Sequence, residues 1–174
     1  MILRPTGLDG CVVVEAEPVH DGRGWFARVF AADVFASHGL DPGLCEVSLS
    51  HNIAAGTLRG LHYQHAPHQE AKLVRCVRGR LFDVAVDLAT RRWTGVELSE
   101  DNGLSLYIPE GFAHGFVTLE PGTDVLYQIS TPYTPPASTG VRWDDPALAI
   151  DWPWPGPLTI SERDRHLPYL PYLA

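Results

Sequence analysis

The chain has 174 residues, a formal net charge of −8 at pH 7 and a pI near 5.4, the size of one domain that buries roughly two thirds of its unfolded surface. That acidic balance argues against nucleic acid or an anionic membrane as partner, and an anionic small molecule would need a local basic pocket, for which Arg59, Lys72 and Arg75 are candidates. No window approaches the ~20 apolar residues of a membrane span, the N-terminus has no apolar run of signal-peptide length, and Cys11, Cys45 and Cys76 lack C-x-x-C spacing and read as buried free thiols in a cytoplasmic protein.

In chain order, Val-rich Cys11 to Glu17 predicts a strand, Asp21 to Gly24 a turn, and Trp25 to Phe30 a second strand. Ala32 to His38 predicts a short helix, with Val34, Phe35 and His38 at helical spacing and Gly39 as a stop. Glu46 to His51 alternates, so Glu46, Ser48 and Ser50 share one face and Val47 and Leu49 the other; the polar face suits a pocket wall or, as the commoner case, the solvent side of an outer sheet. In Leu58 to Tyr63 the same alternation puts Arg59 and Leu61 on one side and His62 on the other. Lys72 to Val77 and Leu81 to Leu88 predict a hairpin about Arg78-Gly79-Arg80, with Asp83 and Asp87 at alternate positions. Trp93 to Leu98, Ser105 to Ile108, Gly115 to Leu119 and Val125 to Ser130 continue the series, with turns at Asp101-Asn102-Gly103 and Pro121-Gly122. Strands at a spacing of about 8 to 12 residues imply an all-β sandwich or barrel, a jelly roll fitting best, as one domain over residues 1–174. Pro146 to Ala174 is Pro- and Trp-rich and reads as an irregular tail wrapped on the barrel, with a short helix around Ser161 to Arg165.

Two stretches carry chemistry. Residues 56–79 read GTLRGLHYQHAPHQEAKLVRCVRG, and among 13 Lys plus Arg only Lys72 is a lysine, which points to a place where a compact ammonium serves and a planar guanidinium does not. Residues 103–118, GLSLYIPEGFAHGFVT, set Gly103, Pro109, Gly111 and His114 at the intervals G-x5-P-x-G-x2-H, a spacing that resembles the second motif of the cupin superfamily. Upstream, Gly56, His62 and Gly79 fit the first cupin motif, with Gln64 in place of its second His and Lys72 in place of its Glu. A protonated amine has no lone pair and repels a cation, so His62, Gln64, Lys72 and His114 imply a pocket that runs acid–base chemistry without metal. His65, His68 and Glu70 form an H-x-x-H-x-E pattern in a turn, read as solvated rather than ligating, and Asp144 and Asp145 read as turn formers.

DGRGWF, TLRGLHYQ, AKLVRCVRG, FDVAVDL, IPEGFAHGF, TPYTP, RWDDP and ISERD together resemble the dTDP-4-dehydrorhamnose 3,5-epimerase family over nearly the whole chain. The resemblance implies a cupin-type jelly roll, usually a homodimer, that acts without cofactor on a nucleoside-diphosphate 4-keto-6-deoxy sugar. Residue by residue it implies His62 as catalytic base, Asp164 as its paired carboxylate, and Tyr133 as proton donor on the opposite face of the sugar. Lys72 and His114 then lie near the keto oxygen, Arg23 and Arg59 on the diphosphate, and Phe26 near the nucleobase, with further substrate contacts from Glu46, Ser48, Gln64 and Arg142. The chain departs from the family at Arg28, where a Glu is common, and at Glu46, Ser48 and Ser50, where Q-x-N-x-S is common; both places bear on the nucleotide and on the number of centres inverted.

The chemistry follows from the ketone, which acidifies the C–H bonds at C3 and C5. A base near neutrality suits their removal, and histidine has a reference pKa of about 6.5. The adopted reading is epimerisation of dTDP-4-dehydro-6-deoxy-D-glucose at C3 and C5. Its rivals are a mono-epimerase, an epimerase of another nucleotide sugar, a non-catalytic sugar-nucleotide-binding cupin, and a metal-dependent cupin.

Overall fold

The computed structural model describes residues 1–171. Short alternating runs separated by Gly and Pro become fourteen strands among the described residues. These are β1 (Ile2–Pro5), β2 (Val12–Glu15), β3 (Val19–Asp21), β4 (Gly24–Phe26), β5 (Glu46–Asn52), β6 (Thr57–Gln64), β7 (Lys72–Arg78), β8 (Arg80–Asp87), β9 (Trp93–Ser99), β10 (Leu104–Ile108), β11 (Phe112–Thr118), β12 (Thr123–Ile129), β13 (Ser138–Gly140) and β14 (Thr159–Ile160). Two short helices, α1 (Ala32–Ser37) and α2 (Glu162–Arg165), complete the regular structure with a 3₁₀ turn at Pro135–Ala137. One sheet runs β1-β2-β10-β7-β12-β5 and the other β13-β6-β11-β8-β9, with β14 parallel to β6. This is the jelly roll that the strand spacing predicts, of the cupin type that the resemblance implies.

Between the sheets, alternate residues of β7 (Val74, Cys76), β8 (Leu81, Ala85), β10 (Leu106, Ile108), β11 (Phe112, Phe116) and β12 (Val125) pack with Leu8, Cys11 and Leu98 into one buried cluster. Each large apolar side chain removed from water in this way contributes about 1.5–3 kcal/mol before the entropy cost of ordering. Lys72 belongs to the same inward row as Val74 and Cys76, and Asp83 to the row of Leu81 and Ala85, so the interior passes from apolar to polar within single strands. Helix α1 closes a second cluster on the outside of the first sheet, where Phe35 meets Tyr107 edge-on at 5.6 Å. The Pro- and Trp-rich tail covers the second sheet through Leu148, Ile150, Trp152 and Leu170, as expected; its residues 172–174 lie outside the described ones.

Several expectations are corrected. The strand expected at Trp25 to Phe30 stops at Phe26. β7 and β8 do not form a hairpin: β7 pairs with β10 and β12, β8 with β9 and β11. The Gly79 link crosses between sheets at φ +75, and a Cβ there would stand 2.6 Å from Thr123 Oγ1. Cys45 is exposed, while Cys11 and Cys76 are buried as expected. On β5 the polar face lines a cavity, one of the two alternatives its alternation allowed, while Val47 and Leu49 on the other face are exposed although apolar, as is Ser48.

Candidate active site

Plain alternation along β6 would send Arg59 and His62 to opposite faces. Against β11, however, His114 stands opposite His62 and Phe116 opposite Arg59, so three steps on β6 match two on β11. The irregularity sits at Gly60, φ +124, where a Cβ would lie 2.6 Å from Gly115 Cα. Such a bulge re-aims side chains. Arg59 and His62 therefore line one cavity of about 290 Å³ with Ser48, Ser50, Lys72, His114, Phe116, Tyr127 and Ile129.

His62 is held from behind. Helix α2 is a single turn whose N-cap Ser161 accepts a hydrogen bond from Asp164 N–H at 3.1 Å, and this turn aims the buried Asp164 carboxylate at β6. Asp164 Oδ1 lies 2.7 Å from His62 Nε2, and Oδ2 accepts Gly60 N–H at 3.1 Å. Burial pushes the Asp164 carboxyl up, but the bond and charge of His62, the Gly60 amide and the Arg163 guanidinium outweigh it and hold the group below the usual carboxylate value. The Nε2 bond leaves Nδ1 as the ring nitrogen with no protein partner among the described residues. A carboxylate on one imidazole nitrogen sets the tautomer and favours a proton arriving at the other.

Lys72 enters from β7. Its Nζ lies 3.0 Å from Glu70 Oε1 and donates to the His62 carbonyl at 3.4 Å. Across the cavity His114 Nε2 is 2.7 Å from Oδ1 of Asp83, which is fully buried. Burial drives the Asp83 carboxyl up, opposed by His114 and Lys72. Burial likewise raises the Tyr127 phenol, whose oxygen is 3.3 Å from Ser50 Oγ. Arg59 donates from Nε to Asn52 Oδ1 at 2.8 Å, which fixes its guanidinium at the cavity edge.

A second, adjoining cavity of about 160 Å³ shares His62, Lys72 and Ile129 and adds Glu46, Gln64, Glu70, Tyr133 and Arg163. The loop carrying Tyr133 is pinned at three points. Glu46 Oε1 accepts Tyr133 N–H at 2.9 Å, Gln64 Oε1 accepts Thr134 N–H at 2.6 Å, and Gln64 Nε2 donates to the Pro132 and His68 carbonyls. Gln64 lines the cavity as expected, yet its carboxamide is engaged with main chain and acts on the placement of Tyr133.

Of the expected site residues, His62, Lys72, Asp164, Tyr133, His114, Arg59, Glu46, Ser48 and Gln64 thus gather around these two spaces. Arg23, Phe26 and Arg142 are not among their lining residues. Arg23 pairs with Asp21 and its side chain is 91% exposed, Phe26 is 76% exposed, and Arg142 is held by Asp144 at 2.7 Å and lies over the Tyr169 ring at 5.2 Å. Arg75 points the other way on β7, to the Gly103 carbonyl, beside a separate cavity of about 410 Å³ lined by Trp25, His20 and Glu100. His65 and His68 are exposed, as expected of a turn. Asp145 caps its own turn by accepting Ala147 N–H at 2.8 Å, as a turn former should. Sequence reasoning missed Asp83, Arg163 and the Glu70–Lys72 pair. Asp83 left a signal, an acid at an inward position of the otherwise apolar FDVAV run; Arg163 had only its place beside Asp164.

Comparison with known proteins finds relatives over nearly the whole chain. The family model described as dTDP-4-dehydrorhamnose 3,5-epimerase matches residues 5–171. A dTDP-4-dehydrorhamnose 3,5-epimerase of Sinorhizobium fredii (strain NBRC 101917 / NGR234) is 43% identical over 155 residues, covering 86% of this chain and 80% of that protein. The crystal structure of the dTDP-4-dehydrorhamnose 3,5-epimerase of Elizabethkingia anophelis NUHP1 superposes with a TM-score of 0.93 at 36% identity, over 98% of this chain and 96% of that one. That of the dTDP-6-deoxy-D-glucose-3,5-epimerase of Legionella pneumophila Philadelphia 1, in complex with dTDP-4-keto-L-rhamnose, gives 0.90 at 33% identity, over 97% and 92%.

Proposed function

This chain belongs to the dTDP-4-dehydrorhamnose 3,5-epimerase family, and on that premise we propose that the His62 cavity epimerises a nucleotide-linked 4-keto-6-deoxy sugar. The protein is an isomerase that converts dTDP-4-dehydro-6-deoxy-D-glucose to dTDP-4-dehydro-L-rhamnose by inversion at C3 and C5. The observation that carries the mechanism is the buried Asp164 carboxylate 2.7 Å from His62, in a cavity that also holds the ammonium of Lys72.

In each inversion His62 takes the proton next to the ketone, and the C–H electron pair enters the enolate with its negative charge on O4. Asp164 stabilises the resulting imidazolium, and the Lys72 ammonium stabilises the enolate oxygen. Tyr133 returns a proton to carbon from the other face, after which His62 gives its proton to solvent and the Tyr133 phenolate takes one from solvent, restoring both groups. Arg59 and Arg163 flank His62 along the adjoining cleft and suit a diphosphate. Since Lys72 and Gln64 occupy two of the four positions a metal would need, activity is expected to survive chelation.

The substrate-binding set is completed by a second copy. The β3–β4 hairpin is exposed at every residue, and a two-stranded ribbon with no surface to pack on is at best marginal in water. Arg23 and Phe26 sit on it, and a homodimer in which this hairpin reaches the partner's cavity brings both to a substrate. The exposed Val47, Leu49 and Ile53 supply apolar surface for such a dimer. A cytoplasmic location suits an acidic chain whose three cysteines are free. The described residues contain no helix long and apolar enough to cross a membrane.

The test is proton NMR in deuterated water with dTDP-4-dehydro-6-deoxy-D-glucose. Deuterium is expected at both C3 and C5 of an L-configured product. Exchange at one centre alone would reduce the assignment to a mono-epimerase, and exchange at neither would overturn it.

A further inference from the structure

Glu70 has no part in the mechanism above, and the H-x-x-H-x-E pattern in which it stands dissolves in the fold: His65 and His68 face solvent, while the Glu70 side chain is only 7% exposed. It enters the wall of the Tyr133 cavity two residues ahead of Lys72. Its Oε1 is 3.0 Å from Lys72 Nζ, and its Oε2 is buried with no hydrogen-bond donor among the described residues. A carboxylate buried with one oxygen bare is a costly choice at a position where an apolar residue would fill the same space. The cost is understandable if the other oxygen does work that an apolar residue does not do.

We propose that Glu70 is a positioning residue for the epimerisation, orienting the Lys72 ammonium so that one N–H is directed at the keto oxygen of the sugar; this rests on the role given to Lys72 above. An ammonium on a flexible four-carbon stem has three donors and no fixed direction of its own. Here the ammonium is held from two sides, by the charge of Glu70 Oε1 at 3.0 Å and by a hydrogen bond to the His62 carbonyl at 3.4 Å. With one N–H hydrogen-bonded and the charge drawn to Glu70 on another side, the ammonium is no longer free to swing on its stem. The second tie comes from the main chain of the catalytic base itself, so Glu70 and His62 together hold the charge in register with the nitrogen that removes the proton. Oxyanion stabilisation depends on donors placed before the charge develops, and a displacement of about 1 Å costs up to roughly 10²-fold in rate.

The experiment compares Glu70→Met, close in volume but without an acceptor, with Glu70→Gln, which keeps one. Both are assayed on dTDP-4-dehydro-6-deoxy-D-glucose for kcat and KM, alongside Lys72→Ala and the double variant Glu70→Met/Lys72→Ala. Binding of dTDP alone, which an unfolded pocket loses, is the folding control. Glu70→Met is expected to lower kcat about 10- to 100-fold with little change in KM. Glu70→Gln should stay near the native rate, and the double variant should match Lys72→Ala, because once the ammonium is gone there is nothing to orient. Native turnover in Glu70→Met, with Lys72→Ala impaired, overturns the role of Glu70 and leaves that of Lys72 standing. An equal loss from Glu70→Met with or without Lys72 also overturns it, since the residue would then act through something else. Native turnover in Lys72→Ala removes the premise and the proposal together. If Glu70→Met fails to bind dTDP, Glu70→Gln decides: near-native turnover supports the orientation, and a tenfold fall overturns it.

Discussion

At the scale of single residues, the division of labour between His62 and Tyr133 is open to direct measurement. A base that returns its own proton restores the starting configuration, so inversion needs a second group on the other face of the sugar. His62→Ala should therefore abolish both product and solvent deuterium incorporation, whereas Tyr133→Phe should slow inversion more than exchange. NMR of C3 and C5 with product stereochemistry distinguishes the two patterns, and equal loss of exchange and inversion in Tyr133→Phe would count against separate faces. The Asp164 carboxylate makes a second prediction. Its pKa is held below the unfolded value, so it contributes stability that is present above about pH 4 and is lost as pH falls through the folded value. Asp164→Asn should cost about 1–3 kcal/mol at neutral pH by weakening a charge-assisted bond. In urea melts, the gap between variant and native protein should narrow progressively as pH falls below about 4; a gap that stays constant with pH would show that the charge is not what Asp164 contributes.

At the scale of elements, the bulge in β6 decides which side chains share the cavity. Gly60 combines a backbone conformation that L side chains rarely adopt with the near approach of Gly115 from β11. Gly60→Ala should destabilise by about 1–3 kcal/mol through backbone strain alone, with the collision added. Activity should fall further than stability explains, because the register that places Arg59 and His62 on one side is what shifts. A melt and an activity assay on the same sample separate the two losses, and a stable, fully active Gly60→Ala would contradict the importance of the bulge. The loop carrying Tyr133 is governed in the same local way, tied by Glu46 from β5 and Gln64 from β6. Glu46 thus anchors this loop whatever further contact it makes with substrate, and its difference from the family's common Gln preserves an acceptor at that place.

For the whole molecule, the exposed β3–β4 hairpin and the cavity it does not reach within its own chain make a sharp expectation. His62→Ala keeps an intact hairpin and Arg23→Ala an intact cavity, so mixed dimers should regain activity that neither variant has alone. Light scattering should give twice the 19.2 kDa chain mass for the native protein. No recovery on mixing, in samples whose subunits demonstrably exchange, would place Arg23 at its own chain's site or at none.

Much of this was legible in the amino-acid order because it depends on local periodicity. Alternation located most strands, and the spacing from Gly56 to Gly79 and from Gly103 to His114 singled out His62, Lys72 and His114, whereas Asp164 and Tyr133 were marked only by the resemblance of the ISERD and TPYTP segments to the family. Tertiary structure decided the rest. Alternation has a period of two and carries no mark of a bulge, so it put Arg59 and His62 on opposite faces until pairing with β11 brought them together. It also has no means of choosing a strand's neighbours, which is why β7 and β8, adjacent in sequence, lie in different sheets. Asp83 shows the same limit at one residue: its acid was visible in FDVAV, but its meeting with His114 across 31 positions depends on how two strands pair. Periodicity is a property of the segment, whereas register, burial and partnership are properties of the segments packed against it, and the catalytic cavity is made of the second kind.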